Sequence, residues 1–70
     1  MKSSLLLSKI GKNIKKRRND AKLTTRGLAE ISGLSTSQIS YMENGQHAMT
    51  IVSLTKVANG LECEVGDLMP

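Results

Sequence analysis

Seventy residues with a formal net charge of +4, one cysteine and one histidine describe one small domain. A core of that size is marginal alone, and Cys63 and His47 can build neither a disulfide framework nor a Cys/His zinc cluster, which leaves oligomerisation as the usual remedy. The length also argues against the scaffold most enzymes use to hold a catalytic group. No apolar stretch approaches membrane-spanning length, and the Leu5-Leu6-Leu7 run is too short for a signal-peptide core, so the expected location is the cytoplasm.

The first helix is expected to start between Ser4 and Ser8 and to end near Ala21, with Leu7, Ile10, Ile14, Arg18 and Ala21 recurring at steps of three and four. That stripe contains a charge. A second helix follows, capped by Thr24 or Thr25, with Leu28, Ala29 and Ile31 turned inward. The third runs from Thr36 to about Asn44, capped by Ser35 with Gln38 completing a capping box, and Gly45 ends it. Thr50 opens a fourth, with Ile51, Leu54, Val57 and Ala58 on its inner side and Asn59-Gly60 as its stop. Leu61, Cys63, Val65, Leu68 and Met69 predict a short fifth helix before Pro70. No segment reads as a strand, linker or repeat, so residues 1–70 form a single all-α, five-helix domain.

Charge is distributed unevenly along these elements. Nine of the ten Lys and Arg residues lie between Lys2 and Arg26 against the single acid Asp20, which gives that part +8. From Gly27 onward Lys56 stands against five acids, giving −4. One surface is thus expected to face a polyanion, the alternative being a solvated basic helix. Arg18 lies four residues after Ile14, and Glu43 four after Ile39, so two opposite charges sit on inward faces. They either meet or extend to solvent from the edge of the core.

The window Thr25 to Asn44, TRGLAEISGLSTSQISYMEN, identifies the polyanion. Ala29, Gly33 and Ile39 stand at the spacings that let two short helices cross at a tight turn: a small residue where the helices approach, a residue without Cβ where the chain reverses, and an apolar plug from the second helix. This is the pattern of a helix-turn-helix that reads DNA, spanning about 25–44. It leaves Thr36, Ser37, Gln38, Ser40 and Tyr41 facing outward, where hydroxyls, an amide, a methyl group and a ring can meet base edges in a major groove. No Arg or Lys sits among them, so direct readout is expected to be modest and helped by DNA shape. Phosphate contacts are expected from Thr25, Arg26 and the amides at the start of the second helix, from Asn44, Gln46 and His47 after the third, and from Lys15, Arg17 and Lys22. His47 has no nucleophile or second ligand in its sequence context, so neither a catalytic base nor a metal or cofactor site is expected. Cys63 reads as a buried apolar residue, with redox sensing as the alternative.

From about Ile10 to Met69 the chain resembles the XRE, or lambda-type repressor and Cro, helix-turn-helix family. The resemblance rests on LTTRGLAEISGLSTSQISYMENG, TIVSLTKVANGLE and the closing VGDLM. It implies a lambda-repressor-like fold, pairing of Arg18 with Glu43, base contacts around Thr36, Ser37, Ser40 and Tyr41, and backbone contacts at Asn44 and Gln46. Two positions depart from it. Thr25 stands where the family usually has Gln, and Gly27 replaces a commonly polar residue, which weakens the helix by about 0.5–1 kcal/mol relative to Ala.

These readings converge on a homodimeric, sequence-specific transcription regulator on a palindromic double-stranded operator. The dimerisation region is placed at about 49–70, with Leu61, Val65 and Met69 supplying the surface. The family roles that fit the size are a restriction-modification controller, a phage-type repressor, and an antitoxin that also holds a toxin protein. The rival from another class is a protein-binding module using the acidic C-terminal part or Leu5 to Leu7.

Overall fold

The computed structural model describes residues 3–46 and 49–70 and gives four α-helices: α1 (Ser3–Asp20), α2 (Thr25–Ser32), α3 (Thr36–Glu43) and α4 (Ile51–Gly60). A 3₁₀ turn, Val65–Leu68, follows, and no strand occurs among the described residues. The helix starts follow from side-chain oxygens that take up unpaired amides. Thr24, in extended conformation, accepts from the Gly27 amide at 2.9 Å. Ser35 and Gln38 form a reciprocal capping box, and Thr50 and Ser53 form another.

The four helix ends share one device. After α1, α2, α3 and α4 the chain passes through a left-handed residue (Lys22, Gly33, Gly45 and Glu62, in that order) whose amide, with the next one, returns to carbonyls of the last turn. At Glu62 this differs from the stop expected at Asn59-Gly60: α4 includes both residues, and Glu62 adopts φ 57° instead.

The core is Ile10, Ile14, Leu28, Ala29, Ile39, Met42, Leu54, Val57, Ala58 and Leu68. α1 packs on α3, α2 on both α3 and α4, and the 3₁₀ turn on α1 and α4. Asn13 Nδ2 donates to the Leu68 carbonyl at 2.9 Å, which ties the chain's end to α1.

Three expectations are corrected. The fifth helix is only the four-residue 3₁₀ turn, because the left-handed Glu62 ends α4 and Glu64 is extended, so little chain remains before Leu68 enters the core. Ile31 and Ile51 are not inward but 57% and 69% exposed. Ile31 stands at the edge of α2's apolar arc, where its Cγ2 lies beside Gly60, the last residue of α4, and Ile51 is the first residue of α4. Ala21 is also exposed, since α1 has already ended at Asp20. Among the described residues no helix is long and apolar enough to cross a membrane.

Candidate nucleic-acid interface

The α2–α3 pair is built around Leu28, Ala29, Ile39 and Met42, all buried, with Leu34 of the intervening turn packed against them. Gly33 carries the turn at φ 70°, and its amide and that of Leu34 bond to the Glu30 and Ala29 carbonyls. Once Ile39 and Met42 have fixed which side of α3 is inward, Thr36, Ser37 and Tyr41 are left exposed and Ser40 half-buried. Gln38 is half-buried, and its Oε1 accepts from the Ser35 amide at 3.3 Å. Its amide oxygen is therefore committed to the cap, apart from the outward group.

Around this face, Thr25 is half-buried and Arg26 exposed in the first turn of α2. Arg26 Nε lies 3.6 Å from Glu30 Oε1, but both side chains are largely in solvent, where such a pair holds the arginine weakly. Asn44 and Gln46 are exposed just after α3, and His47 lies outside the described residues.

Arg18 and Glu43 meet across the α1–α3 contact. Arg18 Nε donates to Glu43 Oε2 at 2.6 Å and Nη2 to Oε1 at 3.1 Å, while Nη1 donates to the Leu23 carbonyl at 2.9 Å. Their side chains are only 11% and 7% exposed. The bidentate bond to Glu43 raises the arginine's pKa above its ordinary value, more than burial lowers it, so the guanidinium is cationic at every accessible pH. One side chain thereby joins α1, the turn before α2 and the end of α3.

The basic residues of α1 divide between two flanks. On one, Gly11 lies against the Glu43 carbonyl and Ser8 against Gly45. Lys15 follows Gly11 by four residues and Ser8 by seven, so it belongs to the flank where α1 meets α3. On the other, Asn13, Lys16, Arg17 and Asp20 line a groove with Leu61, Asp67 and Met69. Arg17 is thus separated from Lys15, and Lys16 is paired with Asp20 at 3.0 Å. Lys22 is exposed in the turn after α1. Gly11 and Asn13 carry no charge, so charge patterning does not mark them. The signal for Gly11 was a glycine set inside an otherwise good helix, which marks a close approach of backbones.

Leu61, Val65 and Met69 are each half-buried and packed against their own core. Cys63 is also half-buried, and burial raises the pKa of its thiol, which disfavours the thiolate that redox sensing needs. Leu5 and Leu6 are exposed and Leu7 half-buried.

Comparison with known proteins agrees with this geometry. Residues 13–70 match the Cro/C1-type HTH DNA-binding domain. No curated protein sequence is significantly similar to the chain. Among solved structures, the restriction-modification controller protein C.AhdI from Aeromonas hydrophila is 32% identical with a TM-score of 0.86, over 90% of this chain and 96% of that one. The clp gene regulator ClgR from Corynebacterium glutamicum is 30% identical with a TM-score of 0.85, over 96% of this chain and 71% of its own. Hydroxypropylphosphonic acid epoxidase from S. wedmorenis, 25% identical with a TM-score of 0.84, is matched over only 36% of its length. The fold thus also occurs as a part of a larger enzyme.

Proposed function

The chain belongs to the Cro/C1-type helix-turn-helix DNA-binding domain family, and from that premise we propose that it is a homodimeric, cytoplasmic repressor or autoregulator of transcription that recognises a palindromic operator. The observation that carries the reading is α3 itself, which buries Ile39 and Met42 yet leaves Thr36, Ser37 and Tyr41 exposed along one side, with Asn44 and Gln46 at its end. In this reading Thr36, Ser37, Ser40 and Tyr41 meet base edges. Arg26 and the amides at the start of α2, with Thr25, Asn44, Gln46, Lys15 and Lys22, hold phosphates. Arg17 is a weaker choice than Lys15, because it lines the groove on the other flank of α1.

Size supports two copies on one operator. The chain measures 31 × 21 × 19 Å, and half-sites one helical turn apart are about 34 Å from centre to centre. Two copies set end to end along the 31 Å axis have centres close to that repeat. The match to C.AhdI over 96% of its length favours, among the regulator roles, that of a restriction-modification controller.

The experiment compares two kinds of contact on the duplex that the chain selects from random sequence. Arg26→Ala is expected to weaken binding to selected and random DNA alike and to make the dependence of log K on log salt shallower by about 1, since one counterion fewer is released. Ser37→Ala and Tyr41→Ala are expected to leave the salt slope unchanged while weakening operator binding by about 1–3 kcal/mol and barely altering random-DNA binding. If alanine at every outward position of α3 left operator preference intact, α3 would not be the reader.

A further inference from the structure

Gly11 is buried in the middle of an 18-residue helix that otherwise consists of side-chain-bearing residues. A Cβ at this position would clash with the Met42 carbonyl oxygen, and would lie 2.5 Å from the Glu43 carbonyl oxygen and 2.8 Å from the Glu43 carbonyl carbon. These are backbone atoms, so no side-chain rotation relieves the overlap. Seven residues on, two helical turns along the same face, Arg18 grips the Glu43 carboxylate. α1 therefore touches residue 43 twice, at its backbone through Gly11 and at its side chain through Arg18. A third point lies at Gly45, where a Cβ would come within 2.8 Å of Ser8 Cα.

We propose that Gly11 is a specificity-positioning residue: its backbone contact with Met42 and Glu43 sets the pose of α3 against α1, and so fixes which bases the outward side chains of α3 reach. The inference rests on the DNA-reading function. It adds a residue that touches no DNA and carries no charge. Arg18 holds Glu43 by a side chain that can follow a small movement, whereas Gly11 sets how close the two backbones come. Adding one methyl group pushes the C-terminal end of α3 away from α1 while the cations at the start of α2 stay where they are.

The test uses Gly11→Ala in the whole chain and again in a Ser32→Ala/Glu62→Gly background. That background removes a buried hydroxyl with no hydrogen-bond partner and a left-handed non-glycine residue, both outside the proposed interface. Residual dipolar couplings of the amides report the orientation of α3 relative to α2. Competition between selected and random duplexes at several salt concentrations reports preference. We expect a folded Gly11→Ala chain with α3 rotated, its preference for the selected duplex reduced at least tenfold, and the salt slope unchanged, since Asn44 and Gln46, which move with the end of α3, carry no charge. An unchanged α3 orientation would overturn the proposal, as would preference retained with α3 rotated. Failure to fold even in the stabilised background would also overturn it, since Gly11 would then serve folding alone. If the unsubstituted chain prefers no duplex, the DNA-reading function is what fails, and the couplings still decide whether Gly11 sets the pose of α3.

Discussion

Breaking the Arg18–Glu43 pair from one side is expected to destabilise the fold far more than removing it entirely. Both side chains are close to nine-tenths buried or more, and every bond of the guanidinium recorded here is made inside the protein. Glu43→Ala leaves a buried cation with only the Leu23 carbonyl as partner, a loss of about 3–5 kcal/mol. Arg18→Ala leaves a buried carboxylate and also deprives the Leu23 carbonyl of its donor, so it should be worse by about a further 1 kcal/mol. The paired replacement Arg18→Met/Glu43→Leu removes both charges and should lose no more than about 1–2 kcal/mol, mostly through Leu23. A domain of this length has a total stability of about 3.5–10 kcal/mol, so either alanine variant should be partly unfolded at room temperature or melt well over 10 °C lower. Urea unfolding followed by circular dichroism measures all three. Equal, small losses of about 0.5 kcal/mol would mean that the pair behaves as a surface bridge and that α1 does not depend on it.

Gly33 and Gly45 separate two reasons for glycine: both have positive φ, but open space surrounds a Cβ at Gly33, while at Gly45 it meets Ser8. Gly33→Ala should lose about 1–2 kcal/mol with Asn better tolerated, and Gly45→Ala should lose clearly more in the same urea titration. Ser32→Ala should stabilise by about 1–2 kcal/mol, because Ser32 Oγ is buried without a partner. Glu62→Gly should stabilise by about 0.5–1 kcal/mol through relief at φ 57° less the added chain entropy, and calorimetry reads both shifts. The Cys63 thiol is raised by burial, so iodoacetamide should label it more slowly in the folded than in the urea-unfolded chain. The same shift means that stability is complete below the unfolded thiol's pKa and falls as pH rises through the folded one, which urea titrations across alkaline pH can follow.

Where the sequence pattern involved atoms close along the chain, it was sufficient to locate the element. The caps at Thr24, Ser35 and Thr50 join residues three apart, and each forms as the local chemistry requires. The middle of each apolar arc was equally plain, as at Ile10, Ile14, Ile39, Leu54 and Val57. The edges of those arcs were not. Ile31 and Ile51 have the period of inward residues, but their burial depends on how far a neighbouring helix extends, which the pattern of a single helix does not contain. The segment from Leu61 to Met69 departs from its pattern for a related reason. Its spacing is helical, but the left-handed Glu62 interrupts it, and a glutamate is an uncommon residue for that conformation. The charges of Arg18 and Glu43 stood out because inward-facing ions require partners. Gly11 carries no charge, and its contact with a carbonyl 32 residues away is visible only once α1 and α3 are packed.

The division of α1 changes what its charge is for. Counted along the chain, the basic part looks like one polyanion-binding surface, but the helix turns its cations in different directions. Arg18 is consumed inside, satisfied by Glu43 and the Leu23 carbonyl. Lys16 and Arg17 lie along the groove shared with Asp20 and Asp67, where local acids offset them. That leaves Lys9, Lys12 and Lys15 exposed on α1, Lys12 and Lys15 on the flank that meets α3, with Lys22 at the turn and Arg26 at the start of α2. Long-range attraction to a duplex draws on all of these charges, since at distances beyond a few residues only their sum matters. In the proposed function, close docking on phosphates draws on the few near α3, and Arg18 joins α1 to the end of α3 and to the turn before α2. In that reading the same helix supplies both the attraction and the reference against which α3 is set, so that its interior contacts bear on recognition although they never leave the core.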